Sequence, residues 1–383
     1  MSAKPDSAVP ECTHRPTCPG CPRYAEPGIS AAAGLRLRAL AAETGAALAA
    51  PVEGSPLGQR RRARLMVRGR ARSPKIGLFQ ARSHRIVDIP NCFVHHPVVN
   101  QIAAALKRAI RATDSQPYAD ARHHGLVRSV QIVVERASGK AQVVVVTNSE
   151  SAEPAAALLD RLREEAGDTL HSLWWNGNAE RTNVILGTHW QHILGAEAVS
   201  ESIGGADVFF PPGAFGQSHL DLADALVQRV HECVPRRSRI VEFYAGSGAI
   251  GLGLLARGQA IAFNELNPHG LRGLELGLDA LPQPARSAAE RLPGEAGQHI
   301  GALAGRDVAI VDPPRKGLDA ALREALPRSA VQRLVYVSCD LDGLTADAHA
   351  LLASGSLRLR ELTPFALLPF TEHVETLAVF DRM

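Results

Sequence analysis

Cys339 closes the apolar run Leu334-Val-Tyr-Val-Ser-Cys339, and near the C-terminus the chain offers Glu375, in His373-Val-Glu375. A thiol at the end of a strand and a carboxylate can work as a nucleophile and base pair. A third segment, Val241-Glu-Phe-Tyr-Ala-Gly-Ser-Gly-Ala-Ile-Gly-Leu252, reads as a strand, a glycine turn and a helix start, which suits a nucleotide-like cofactor. Gly246 and Gly248 carry no Cβ to obstruct a ligand approaching the backbone, and the following helix presents unsatisfied N–H groups. Covalent chemistry beside a bound cofactor is the expectation.

Glu265 falls at the end of the next expected strand, where a carboxylate can accept both hydroxyls of an adenosine ribose. A nicotinamide dinucleotide and S-adenosylmethionine both need that contact, and the glycines do not separate them. The later Val311-Asp312-Pro-Pro-Arg-Lys-Gly317 fixes the backbone with two prolines just beyond a strand's carboxyl end, where open parallel sheets place their ligands. Taken in order, the glycine turn, Glu265 and Asp312 favour a methyltransferase-like site over a dehydrogenase.

These residues need elements to position them. At 383 residues the chain suits two domains with a short appended module. We expect a cysteine-rich segment over 1–30, an α+β central domain over 31–210 and a Rossmann-like α/β domain over 211–383. Ala31 to Ala50 reads as helical, with Leu37, Leu40 and Leu48 on one face. The central part alternates short β-branched runs, Arg128–Glu135, Ala141–Thr147 and Thr182–Gly187, with helical intervals near 98–112 and 152–166, and predicts an antiparallel sheet. After Pro212 helices and strands alternate, as in a parallel sheet with crossover helices: 220–234, 239–243, 250–257, 260–264, 307–311, 318–326 and 333–337. Segments 357–362 and 374–380 form a closing hairpin at one edge. No apolar stretch reaches the ~20 residues of a spanning helix, and Met1–Asp6 lacks the apolar core of a leader. The expected location is the cytoplasm.

A formal net charge of +3 says little, but its distribution says more. Between Glu53 and Asp88 there is no acidic residue, whereas Arg60, Arg61, Arg62, Arg64, Arg68, Arg70, Arg72, Lys75, Arg82 and Arg85 all fall there. Such a block is an electrostatic footprint for phosphate, though arginine is abundant throughout the chain. Cys12, Cys18 and Cys21, with Cys92, supply four thiolates that suit either an iron–sulfur cluster or zinc, for which His14 or His95 could also serve.

The chain resembles the RNA uracil-5 methyltransferases that modify ribosomal and transfer RNA. The resemblance rests on Phe215-Gly-Gln-Ser-His219, Phe243-Tyr-Ala-Gly-Ser-Gly248, Asp312-Pro-Pro-Arg-Lys-Gly317, Tyr336-Val-Ser-Cys339 and His373-Val-Glu375, in the family's order and approximate spacing. It covers the C-terminal half, with weaker similarity back to the N-terminal cysteines. It implies that Cys339 adds to uracil C6, that Glu375 removes the C5 proton, and that Gln217, Tyr244, Glu265 and Asp312 hold S-adenosylmethionine beside the Gly246 and Gly248 turn. For Cys12, Cys18, Cys21 and Cys92 it implies the 4Fe-4S cluster of the ribosomal RNA branch, ahead of zinc. The partner implied is RNA, ribosomal ahead of transfer RNA, approached by a monomer through the arginine block and Arg128. Three positions depart from the family's usual text: Asp340-Leu-Asp-Gly343 after the cysteine, Ala366-Leu-Leu-Pro369 before the base, and Ala245 in the glycine loop.

Overall fold

The computed structural model describes residues 9–383; the Met1–Asp6 segment lies outside the described residues. The chain opens with α1 (Ala31–Thr44), capped by the Ser30 side chain and ended by left-handed Gly45, and then β1 (Ala47–Leu48). Next come β2 (Arg62–Arg70), β3 (Ser73–Phe79), β4 (Ile86–Asp88), α2 (Pro97–Ala112), β5 (Val127–Val134), β6 (Ala141–Thr147), α3 (Ala156–Ala166), β7 (Leu170–Gly177) and β8 (His189–Gly195). The hairpin β9 (Val199–Ile203) and β10 (Ala206–Phe210) leads to α4 (Leu220–Cys233), β11 (Arg239–Phe243), α5 (Gly251–Ala256), β12 (Ala260–Glu265), α6 (Pro268–Ala280), α7 (Gln283–Ser287) and β13 (Ala289–Pro293). The chain closes with β14 (Val308–Val311), α8 (Ala320–Arg328), β15 (Arg333–Ser338), α9 (Leu341–Leu352), β16 (Leu357–Phe365) and β17 (Glu375–Arg382). Among the described residues no helix is long and apolar enough to cross a membrane.

The chain forms two compact units. One comprises the residues up to Pro27, Ser55–Val134 and Ser138–Gly195. Its sheet runs β4-β3-β2-β5-β6-β7-β8, antiparallel except where β6 and β7 pair in parallel. Leu65, Val67, Val130, Ile132, Val143 and Val145 project from one face onto Ile102, Leu106 and Ile110 of α2 and Leu158 and Leu162 of α3. At β2 the alternation places Arg64, Arg68 and Arg70 on the opposite face. The segment Thr182–Gly187, expected as a strand, is loop. Its carbonyls are satisfied by side chains instead, Asn178 donating to Val184 and Ile185 and Asn176 to Gly187.

The second unit comprises Gly28–Gly54, Glu135–Ala137 and Ala196–Met383. Its sheet runs β1-β16-β17-β15-β14-β11-β12-β13, with β11 to β15 parallel and β17 antiparallel to both of its neighbours. This is the expected Rossmann-like α/β fold. Two placements differ from expectation. Gly28–Gly54 groups with this unit, because β1 pairs in parallel with β16 and Leu37 and Leu40 of α1 enter its core. The closing hairpin, β16 and β17, is not the outermost pair either, since two-residue β1 pairs beyond β16.

Candidate active site

The site is built at the carboxyl ends of β11, β12, β14 and β15. Beyond β11 the backbone turns through Tyr244 at φ 60° and Gly246 at φ 56°, left-handed conformations that strain the tyrosine and suit the glycine. That turn brings the Gly246 amide to Glu265, donating to Oε2 at 2.7 Å. The other carboxylate oxygen, Oε1, accepts from Leu266 N at 2.9 Å and Asn267 N at 2.6 Å. Three backbone donors thus fix the orientation of Glu265.

A cavity of about 1090 Å³ opens over these strand ends, lined by Gln217, Tyr244, Gly246, Glu265, Asp312, Cys339 and Glu375 among others. Of the residues expected there from the sequence, Gly248 is not among the described residues lining it. Its φ is 78°, and a Cβ on it would meet Leu274 Cδ1 at 2.7 Å, so it permits close packing behind the turn.

Cys339 is half-buried where β15 ends and α9 begins. Asp340 caps that helix, its Oδ1 accepting from Asp342 N and Gly343 N at 3.0 Å each. The departure beside the cysteine therefore supplies an efficient helix cap. The departure before Glu375 supplies core, since Ala366, Leu367 and Phe370 are buried. Glu375 opens β17 opposite Phe365, is 7% exposed, and its Oε1 has no hydrogen-bond partner.

The electrostatics follow from burial and crowding of like charge. Burial, then the Asp312 charge, pushes the Glu375 carboxyl up to about 8. Burial and Glu265 push Asp312 up to about 7. The Cys339 thiol is raised by burial, Glu375 and Asp312, with Arg315 opposing. Three side chains in the lining had no role assigned from the sequence. Glu242 is 2% exposed, with Oε2 unpartnered, and burial raises it well above the usual carboxylate range. Its signal was a charge inside the apolar strand Ile240-Val241-Glu242-Phe243. Arg315 and Lys316 also reach the lining, as the only cationic side chains among the described lining residues.

In the β-rich unit the expected residues divide differently. Arg68 is buried, bonded twice to Asp120 at 2.7 and 2.8 Å, and lies 5.0 Å from the Phe79 ring centroid. Arg128 is buried over Tyr118 and donates to the carbonyls of Asn178, Glu180 and Thr182. Both therefore serve the scaffold. Arg64, Arg70, Arg72, Lys75, Arg82 and Arg85 remain exposed. Cys12, Cys18, Cys21 and Cys92 are half-buried free thiols. Burial and the charge of Cys92 push Cys21 up to about 11, while Arg60 opposes. His95 is occupied by Asn100, Nδ1 to Oδ1 at 3.3 Å. Among the described residues no group of three or more His, Cys, Asp or Glu side chains is arranged to hold a metal ion, so the expected cluster site is not shown.

Comparison with known proteins follows the same line. The family model described as tRNA (uracil-5-)-methyltransferase matches residues 304–383. An uncharacterized RNA methyltransferase of Protochlamydia amoebophila is 36% identical over 336 residues, covering 86% of this chain and 88% of that one. One of Geobacter sulfurreducens is 28% identical over 406 residues, covering 98% and 77%. The crystal structure of Pyrococcus abyssi tRNA (uracil-54, C5)-methyltransferase with S-adenosyl-L-homocysteine shares the fold, at TM-score 0.77, 23% identity and coverage of 97% and 87%. Fold and relatives define an RNA methyltransferase built on a Rossmann-like domain. The chain belongs to the RNA uracil-5 methyltransferase family, whose members are S-adenosylmethionine-dependent enzymes.

Proposed function

We propose that the protein methylates C5 of a uridine in RNA through a covalent adduct between Cys339 and uracil C6. The observation that carries this reading is the single cavity gathering Cys339 and Glu375 with Gln217, Tyr244, Gly246, Glu265 and Asp312. Uracil C5 is a poor nucleophile. Addition of the Cys339 thiolate to C6 makes C5 enolate-like and able to attack an electrophilic methyl group. S-adenosylmethionine, when bound, supplies that methyl on a sulfonium. Glu265 suits its ribose, because the three backbone donors that orient the carboxylate leave an acceptor position on Oε2 for a ribose hydroxyl. Gln217, Tyr244 and Asp312 hold the remainder, and the turn at Gly246, with Gly248 packed behind it, gives it room. Glu375 Oε1, buried and unpartnered, then takes the C5 proton, and re-formation of the C5–C6 double bond expels the thiolate. Both Cys339 and Glu375 must be ionised to act, and both are raised, so the rate should climb with pH through about 8, where Glu375 ionises, and keep climbing above it as the raised thiol ionises.

The exposed cations of the β2 to β4 region serve the RNA backbone, and the target uridine is splayed from its stack to expose C5 and C6. The four N-terminal cysteines favour a ribosomal RNA target and a structural 4Fe-4S cluster. Beyond burial, the charges of Cys92 and Cys12 raise the Cys18 and Cys21 thiols, as neighbours would, and soft thiolates suit such a cluster. Transfer RNA is the second reading, favoured by the description of the matching family model. We place the enzyme in the cytoplasm, acting as a monomer.

The test is RNA containing 5-fluorouridine, given with S-adenosylmethionine. Fluorine cannot leave as a proton, so the enzyme should be trapped covalently at Cys339. A protein that binds the cofactor yet forms no adduct with any cellular RNA pool overturns the mechanism. Iron content and visible absorbance after anaerobic purification separate a cluster from zinc.

A further inference from the structure

The turn after Asp312 is gripped by Asp347 and Tyr336, which no step above uses. Asp347 on α9, 1% exposed, accepts from Leu318 N at 2.7 Å, from the Tyr336 hydroxyl at 2.8 Å and from Arg323 Nη1 at 3.2 Å. Tyr336 is fully buried on β15, the strand that ends in Cys339. On the turn's other side the Tyr244 hydroxyl accepts from Asp319 N at 2.9 Å. Gly317 has φ 82°, and a Cβ there would meet Asp347 Oδ2 at 2.5 Å, so the carboxylate sits directly against the turn.

We propose that Asp347, with Tyr336, is a positioning residue that holds the thiol-bearing strand and the Asp312–Lys316 turn at a fixed separation. Two elements meet at this one carboxylate. The strand supplies the Tyr336 hydroxyl and then Cys339; the turn supplies Leu318 N after delivering Asp312, Arg315 and Lys316 to the cavity. Mere packing would be served as well by an apolar side chain, because a buried carboxylate is costly unless its donors are all in place. What the carboxylate adds is a directional link. Methyl transfer through a thiol adduct needs three partners in contact at once, and a small misplacement of one of them slows such a step severely.

The inference rests on the reading of Cys339 as nucleophile. The test compares Asp347→Asn and Tyr336→Phe in the full chain for kcat, cofactor Kd, adduct rate on 5-fluorouridine RNA, and the iodoacetamide rate at Cys339. Asp347→Asn should lower kcat and adduct rate by about tenfold or more and Tyr336→Phe by about threefold, while cofactor Kd stays within about twofold. Tyr336→Phe removes only a hydroxyl and keeps the fold, so it remains informative if Asp347→Asn does not fold. Unchanged kcat in Tyr336→Phe, or losses of kcat and cofactor affinity that run parallel with melting temperature, overturns the inference. If the parent forms no adduct, the uridine reading falls. The iodoacetamide rate then decides separately: a threefold change in Tyr336→Phe upholds the link, and an unchanged rate overturns it.

Discussion

Both units bury charge, but the core of the β-rich unit and the cavity of the methyltransferase unit treat it in opposite ways. In the β-rich unit each buried cation meets its partners: Arg68 has Asp120 and two carbonyls, Lys107 has both oxygens of Asp88, and Arg128 has three carbonyls. In the cavity of the methyltransferase unit, Glu375 Oε1 and Glu242 Oε2 have none; burial and the Asp312 charge raise Glu375, and burial and the Glu265 charge raise Asp312. Compensated charge holds a scaffold together. Uncompensated charge costs stability and is tolerated where a reaction or a ligand makes use of it.

The sharpest way to break that contrast is at Cys339 and Glu375. Cys339→Ala should abolish both turnover and adduct formation. Glu375→Gln should cut turnover by about 10²–10⁴-fold yet accumulate adduct on ordinary uridine, because the methylated intermediate can no longer lose its C5 proton. Denaturing electrophoresis of enzyme with labelled RNA separates the outcomes. Loss of adduct in Glu375→Gln would place the carboxylate before the methyl transfer.

The scaffold side is tested at Asp120. Asp120→Ala leaves the buried Arg68 guanidinium without its bidentate partner and should cost about 3 kcal/mol of unfolding free energy. Denaturant titration measures this. A cost near zero would mean that the pair is no better compensated than the carboxylates of the cavity.

The legibility of the two units differs for the same reason. Strands such as Val308–Val311 and Arg333–Ser338 could be read because a buried parallel sheet selects continuous apolar runs, and the site residues follow at their ends. Thr182–Gly187 misled because the side chains of Asn176 and Asn178 replace ladder hydrogen bonds, which no alternation pattern reports. β8, His189–Gly195, was missed for the converse reason, being polar and half-exposed along a sheet edge. Arg128 and Arg68 were indistinguishable by type from their exposed neighbours, and only the positions of Tyr118, Phe79 and Asp120 bury them. Asp347 gave no signal, because its role depends on a turn distant in sequence.

Unpaired charge in the cavity also makes stability depend on pH. Glu375 in the folded protein holds its proton up to about 8, whereas unfolded it releases it in the usual carboxylate range. Its contribution is therefore fully present below that range and is lost as pH rises toward 8. Glu375→Gln does not titrate, so its stability relative to the parent should grow with pH across that window, by at most about 1.4 kcal/mol per unit. Thermal melts at several pH values check this, and a difference that does not vary with pH would mean that Glu375 is already compensated.

The smallest effects are expected where charge is exposed. Arg70, Arg72 and Lys75 lie on or beside the β2–β3 hairpin and are solvent-facing, unlike Arg68 on the same strand. Replacing any one by Ala should change unfolding free energy by no more than about 0.5 kcal/mol. If the face meets phosphate, each replacement should weaken RNA binding uniformly across sequences and reduce the slope of log K against log salt by about 1. Asp120→Ala, in the fraction that remains folded, should leave that slope as it is, because Arg68 is buried against Phe79 and Tyr118 and has no phosphate to meet. A shared change of slope in both kinds of variant would erase the distinction between the buried and the exposed arginines of this unit. An unchanged slope in all of them would move the RNA contact away from the β2–β3 hairpin.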